Sequence, residues 1–218
     1  MREHPLYSNE QQCASTTDAL LMCGQTVFQI FQMPDNEQQH SQWLLRIADP
    51  KRRAQRVLSL GCGVGGMEAY WKEVRPELSF ELVNASRAQL DRLVCDGEAV
   101  RADAETYVSS TPPFDLVVVA YLLGHVHSGD TLRNALRNLA PDGTLLVYDV
   151  FNGTEEFCSR LYYQTPCLAE IEQFGVFNEL RFRYVIEGGI PLGSFFRETQ
   201  PWVTGHAIPG LFVFQKQP

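Results

Sequence analysis

The sequence predicts an α/β protein: a seven-stranded, mostly parallel sheet with helices on both faces, an antiparallel edge at the C-terminal end and a helical cap at the N-terminal end. Three observations carry this. Short apolar segments alternate with helix-like segments between residues 56 and 150. The first of these strands runs straight into Gly61-Cys62-Gly63-Val64-Gly65-Gly66, a strand-to-helix turn. After residue 150 the alternation stops and two more strands follow, joined by a long loop, as suits a pair added to a sheet edge. A length of 218 residues suits one domain with a sizeable core. Residues 1–55 are expected to be a cap on the domain formed by 56–218.

Residues 11–31 read as a helix, and Met33-Pro34-Asp35 breaks it. A second helix is predicted over 37–48, where Trp43, Leu44, Ile47 and Ala48 recur at helical spacing. Asp49-Pro50 ends it. Lys51-Arg52-Arg53 reads as a solvated loop. Strands are expected at 57–60, 80–83, 116–120 and 144–150, with a weaker one at 99–101, and helices at 67–74, 87–93 and 131–139. Apolar strands separated by short helices indicate βαβ units and a sheet buried on both faces. Pro141-Asp142-Gly143 is predicted to turn into the fifth strand. Beyond 150, a helix is expected over 154–174. A strand follows over 180–187, where Phe182, Tyr184 and Ile186 alternate with Arg181, Arg183 and Val185. A closing strand lies over 210–214.

Composition narrows the function. The formal net charge of −8 opposes a general nucleic-acid binder, which needs a basic face, but leaves room for a small anionic substrate. No apolar run approaches the roughly 20 residues that span a bilayer. Met1-Arg2-Glu3-His4-Pro5 lacks the apolar core of a signal peptide. A cytoplasmic protein that does not engage a membrane is expected, as monomer or homodimer. The six cysteines form no C-x-x-C pair, so they read as reduced, mostly buried residues and no metal site is expected. His125, His127 and Asp130 offer no closed ligand set.

The glycine turn prescribes a binding geometry. Glycines at 61, 63 and 65 permit a tight reversal with no side chains in the way, so a ligand can lie on backbone N–H groups at a helix N-terminus. Two cofactors compete for it. Gly61, Gly63 and Gly66 satisfy the dinucleotide pattern G-x-G-x-x-G. The second strand would then exit into Asn84-Ala85-Ser86-Arg87, where Arg87 could meet a 2′-phosphate, as in an NADP-dependent oxidoreductase.

Residues 56–150 resemble the class I S-adenosylmethionine-dependent methyltransferase family, with its Rossmann-like fold. Five segments carry the resemblance in order: 57–65, Asn84-Ala85-Ser86-Arg87-Ala88-Gln89-Leu90-Asp91, Arg101-Ala102-Asp103-Ala104-Glu105, 114–126, and Leu139-Ala140-Pro141-Asp142-Gly143-Thr144-Leu145-Leu146-Val147. The second is similar to enzymes of specialised metabolism, including C-methyltransferases of isoprenoid and related substrates. The resemblance implies S-adenosylmethionine as cofactor and S-adenosylhomocysteine as product, with a methyl group passed to O, N or C of a small molecule. By position, the turn with Gly61, Cys62 and Gly63 would pack on the methionine part and ribose. Asn84 would face the ribose hydroxyls, Ala85 would lie beside the adenine, Asp103 would accept from the adenine amino group and Ala104 would add a backbone contact. Val119, Ala120 and Tyr121 would form the rim beneath the sulfonium.

Two positions depart from the family pattern: Ser59 and Asn84 stand where the family often or usually has an acid. Losing a charge-assisted bond at such a place costs about 1–2 kcal/mol. Glu68, in the first turn of the next helix, either recovers that charge by reaching the cofactor amino group or simply suits the positive end of the helix. Near the methyl group stand Tyr121 and His125. An imidazole there serves as a general base or as a packing residue of the cofactor loop. Tyr162, Phe196, Arg197 and Trp202, with Tyr163, Phe195 and His206 nearby, are the candidates for an aromatic substrate pocket. Short N-terminal helices offer no separate domain for a macromolecule, which points to a small-molecule substrate. The neutral residues at 59 and 84 keep open a methyltransferase-like protein that binds ligand without methylating.

Overall fold

A computed structural model describes residues 37–111, 113–152, 157–158, 164–186 and 207–216. Helix α1 (Glu37–Ala48) precedes β1 (Arg56–Leu60), α2 (Gly66–Val74), β2 (Ser79–Asn84), α3 (Arg87–Leu90), β3 (Glu98–Arg101) and β4 (Phe114–Ala120). Then come α4 (Ser128–Asn138), β5 (Leu139–Asn152), β6 (Phe157–Cys158), β7 (Gln164–Thr165), α5 (Leu168–Phe177), β8 (Arg181–Ile186) and β9 (Ala207–Gln215). Seven strands form one sheet in the order β3-β2-β1-β4-β5-β9-β8. The first five pair in parallel, and β9 runs antiparallel to both β5 and β8. This is the predicted α/β architecture with its antiparallel C-terminal edge.

Alternation along each strand divides the core in two. Val57, Leu116, Val118, Leu146 and Tyr148 face α1 and α2, where they meet Leu44, Leu45 and Trp71. Leu58, Leu60, Val117, Val119 and Val147 face the other way, onto Leu132, Ala135, Ile171 and Phe174 of α4 and α5. Both faces of the parallel strands are therefore dry, which accounts for the continuous apolar runs in the sequence. Trp71 is fully buried, and its indole N–H donates to the Ser41 carbonyl at 2.6 Å, which ties α1 to α2. Buried Arg75 secures the segment after α1, donating to the Ala54 carbonyl at 2.7 Å and to Asp49 at 3.2 Å. Lys51, Arg52 and Arg53 are exposed, as expected of a solvated loop.

The structure departs from the sequence reading in three places. The helix expected over 87–93 stops at Leu90, because the chain bends so that the Val94 amide donates to the Val64 carbonyl of the glycine turn at 2.9 Å. The helix expected over 154–174 does not form as one element: β6 and β7 pair within it, and α5 begins only at Leu168. Pro166 explains the break, since it lacks an amide and holds Thr165 extended. The turn expected at Pro141-Asp142-Gly143 is a bulge inside β5, whose pairing with β4 jumps from Leu139 to Thr144 while β4 advances only from Phe114 to Leu116. The helix predicted over 11–31 lies outside the described residues. Among the described residues no helix is long and apolar enough to cross a membrane.

Candidate functional site

Strands β3, β2, β1 and β4 end side by side. Asn84 pairs with Arg101, Leu60 with Val83 and Val119, and Ala120 with Tyr148 of β5. The chain steps from β1 to β2 on one side and returns to β4 on the other, so β1 and β4 flank a topological switch point, where α/β sheets bind ligands. The predicted cofactor residues Ser59, Gly61, Cys62, Gly63, Asn84, Ala85, Asp103, Ala104 and Ala120 lie on or just beyond the strands that end at this edge.

The glycine turn is left-handed at three residues, with φ of 74° at Gly61, 60° at Gly63 and 76° at Gly65. Only glycine takes this conformation freely. The turn is not uniformly bare, as the sequence reading supposed. The Gly61 and Cys62 amides both donate to the Val83 carbonyl, at 2.8 and 3.1 Å, and the Gly65 amide to the Cys62 carbonyl at 2.9 Å. Among the described residues, nothing takes the Gly63 and Val64 amides. A Cβ built on Gly63 would meet no atom within 4 Å. The turn therefore presents two donors over open space at the start of α2, a cradle that fits the ribose and amino-acid parts of S-adenosylmethionine.

Beneath the turn, the Ser59 hydroxyl and the Glu68 carboxyl are 2.5 Å apart, with 2% and 1% of each residue exposed. Burial pushes the Glu68 carboxyl above its ordinary value, against the opposing Ser59 hydrogen bond. Burial likewise raises the Cys62 thiol, with the nearby Glu68 adding to it, and takes Cys95 up to about 12. Both thiols are thereby held in the protonated form in the free protein.

Asn84 is 7% exposed and its side chain is committed to the protein. Its amide group donates to the Gly63 carbonyl at 3.2 Å and to Gln89 Oε1 at 2.7 Å, while its Oδ1 accepts from the Ser86 amide at 3.3 Å. The neutral residue is thus a brace between β2, α3 and the glycine turn. Restoring an acid here would turn a donor into an acceptor facing two acceptors. Asn84→Asp is accordingly expected to lower stability by about 1–3 kcal/mol in denaturant unfolding, contrary to what the family pattern suggests.

Asp103 is half-buried. One carboxylate oxygen accepts from the Glu105 amide at 2.9 Å, and the other is not taken up among the described residues. The Ala104 carbonyl is fixed by Asn134 at 2.8 Å. Ala85 is exposed beside the end of β2, and Ala120 is half-buried at the end of β4. Arg87, the residue the NADP reading required, is exposed at the start of α3 and ion-paired with Asp91 at 2.8 Å.

Past β4 the chain enters a strained corner. Tyr121 has a φ of 51°, unusual for an aromatic residue. Two bonds to β5 hold it: the Tyr121 amide to the Tyr148 carbonyl at 2.9 Å, and the Leu123 amide to Asp149 Oδ2 at 3.0 Å. The Tyr121 ring meets Tyr148 edge-on at 5.1 Å, Tyr148 meets His40 of α1 at 5.2 Å, and His40 meets Trp43 at 5.6 Å. His125 sits in the turn that follows, its amide donating to the Leu122 carbonyl at 2.8 Å. The neighbours of His125, Leu123 and Val126, pack on the core beneath α4, whereas Tyr121 packs on the α1 side. The two catalytic candidates thus share one turn that is anchored on both faces of the sheet. His127 and Arg133 both hold Asp130 at the start of α4.

The sequence reading missed His40, Tyr148 and Asp149. His40 was accessible, since it extends the helical stripe of Trp43, Leu44 and Ile47 by one turn. Nothing local distinguished Tyr148 and Asp149 from ordinary strand residues. The substrate candidates Tyr162, Phe196, Arg197 and Trp202, with Tyr163, Phe195 and His206, lie outside the described residues.

Comparison with known proteins agrees with this geometry. A family model described as a methyltransferase domain matches residues 34–179. A ubiquinone/menaquinone biosynthesis C-methyltransferase of Pseudomonas fluorescens is 34% identical over 122 residues, 51% of this chain and 48% of that protein. A malonyl-[acyl-carrier protein] O-methyltransferase of Enterobacter lignolyticus is 33% identical over 116 residues, 50% of this chain and 46% of that one. The chain thus spans about half the length of these curated relatives. A phosphoethanolamine N-methyltransferase of Haemonchus contortus, solved with S-adenosyl-L-methionine, superposes with a TM-score of 0.72 at 15% identity, over 99% of this chain and 60% of that one. With a family model covering the glycine turn, all five parallel strands and the helix after them, this chain belongs to the methyltransferase domain family.

Proposed function

We propose that the protein is an S-adenosylmethionine-dependent methyltransferase acting on a small molecule, as a cytoplasmic enzyme of specialised metabolism. The observation that carries the reading is the single sheet edge on which the open Gly63–Val64 amides, Asp103 and the strained Tyr121 corner converge. The cofactor, when bound, supplies an electrophilic methyl group on a sulfonium. The turn at 61–65 would hold it, Asp103 through its open oxygen and Ala104 through its backbone would take the adenine, and Ala85 would flank it. Ala120 and Tyr121 would lie beneath the reacting end.

Methyl transfer needs an acceptor aligned with the sulfonium, exclusion of water and, for many acceptors, removal of a proton. The rings of Tyr121, Tyr148, His40 and Trp43 pack in series between α1 and the exit of β4; Tyr148 and His40 are buried and close that side to water, and the half-buried Tyr121 ring is the one placed to favour a planar or cationic transition state. His125 is the candidate base. The net charge of −8 supports a metabolite rather than a nucleic acid as acceptor. The relatives include C-, N- and O-methyltransferases, so the acceptor atom follows from the pocket and not from the family.

Titration calorimetry with S-adenosylhomocysteine and with NADPH tests this. Binding of the former alone is expected, with Asp103→Ala weakening it at least about tenfold, the value of one charge-assisted bond. Binding of NADPH alone would overturn the proposal. Binding of neither would favour a relative that has lost the cofactor.

A further inference from the structure

The acid that the family often carries on the first strand reappears in this chain on the helix. Ser59 lies two residues before the first glycine of the turn, and Glu68 lies in the first turn of α2, two residues beyond Gly66. Their side chains meet beneath the turn at 2.5 Å, with both residues almost fully buried. One hydroxyl and the residue's own backbone amide are poor compensation for a buried carboxylate, and among the described residues no cation pairs with it. The groups around it are Cys62 on the turn and Cys95 before β3, both protonated thiols. Lys72, one turn along α2, donates to the Leu78 carbonyl. From α1, His40 joins the same side of the sheet through its contacts with Trp43 and Tyr148. Burial therefore shifts the free protein toward the neutral acid, and the open Gly63 cradle is where a positive charge would oppose that shift.

We propose that Glu68 is the counter-charge of this cofactor site: it ionises when a cationic cofactor lies on the glycine turn, and binding expels its proton to solvent. The inference rests on the reading of the turn as an S-adenosylmethionine site. The carboxyl O–H bond breaks, its electron pair stays on the carboxylate, the proton passes to the buffer, and the Ser59 hydroxyl donates to the anion it faces. Glu68, buried beneath the turn, would act through it, as a positioning residue that senses charge. The pairing of Ser59 with Glu68 would then explain how the chain dispenses with an acid on β1.

The test compares S-adenosylmethionine with S-adenosylhomocysteine, which lacks the sulfonium charge, by calorimetry in buffers of different ionisation enthalpy. On the unaltered protein, S-adenosylmethionine is expected to release more protons than S-adenosylhomocysteine, and its relative affinity to rise between about pH 5 and pH 8. Glu68→Gln keeps the volume and the bond to Ser59. It is expected to remove that extra release and to reduce the preference for the sulfonium about tenfold. The double variant Ser59→Asp with Glu68→Gln, which returns the acid to the strand, is expected to regain the preference.

Without ligand the sign reverses. A carboxyl held above its unfolded value contributes stability that is complete below the ordinary carboxyl range and is lost as pH rises through the folded value. Glu68→Gln should therefore melt higher than the unaltered protein at about pH 8 and no higher at about pH 4. Equal proton release by the two ligands, or release undiminished in Glu68→Gln, would overturn the inference while leaving the cofactor reading intact. Failure of both ligands to bind the unaltered protein would overturn both.

Discussion

Trp71→Ala is expected to cost about 3–5 kcal/mol, the range for truncating a buried tryptophan, and to release α1 from the domain. Trp71 is fully buried between α1 and the sheet, in contact with the core that contains Leu44, Leu45 and Val57. Its indole N–H is the bond that meets the Ser41 carbonyl on α1 at 2.6 Å. A helix of 12 residues has little stability of its own in water, so α1 depends on this packing. Loss of α1 would also remove His40 and Trp43 from the series of rings that ends at Tyr121. Denaturant unfolding should show the full loss in Trp71→Ala. In Trp71→Phe, which keeps most of the area but not the donor, it should show only about 1–2 kcal/mol. Limited proteolysis should cut first within α1 in the alanine variant. A loss below about 1 kcal/mol in Trp71→Ala would mean that α1 is held by something else.

The sheet was legible because its physics is local and repetitive. Strands such as β4 and β5 are buried on both faces and read as unbroken apolar runs, and each is set off by glycine, proline or aspartate. The glycine turn was legible for a similar reason, since a left-handed φ at 61, 63 and 65 leaves its mark directly in residue type. What the sequence could not display was how polar groups would be spent. Asn84 reads as a ligand residue by position, yet its three hydrogen bonds go to Gly63, Gln89 and Ser86. Ser59 reads as a missing acid, yet the acid stands beside it on another element. The broken helix over 154–174 was misread because its apolar content suits either period, and Pro166 weighed more than the pattern around it. Tyr148 and Asp149 gained their place at the site through register: β5 brings them level with Ala120 and the corner beyond it, a long-range fact that no window of sequence contains.

Gly61→Ala and Gly63→Ala are expected to fail in opposite ways, and the contrast locates the ligand. At Gly61 the φ of 74° costs a side chain about 1–2 kcal/mol. The new Cβ would also lie 2.7 Å from Leu122 Cδ1 and 3.1 Å from its Cγ. Leu122 is half-buried, with its backbone set between the left-handed Tyr121 and Leu123, whose amide is held by Asp149, so its side chain must turn away to admit the new Cβ. Overpacking of this kind adds about 1–3 kcal/mol, so Gly61→Ala should lose stability and cofactor binding together. At Gly63 the φ of 60° imposes the same conformational cost, but the Cβ meets nothing within 4 Å. Gly63→Ala should therefore stay folded, with a melting temperature only a few degrees lower, while S-adenosylhomocysteine affinity falls at least about a hundredfold, because the methyl group occupies the surface on which the ligand lies. Calorimetry and thermal melts on the two variants separate the cases. Full affinity in a folded Gly63→Ala would show that the cofactor does not rest on this turn, however well the turn suits it.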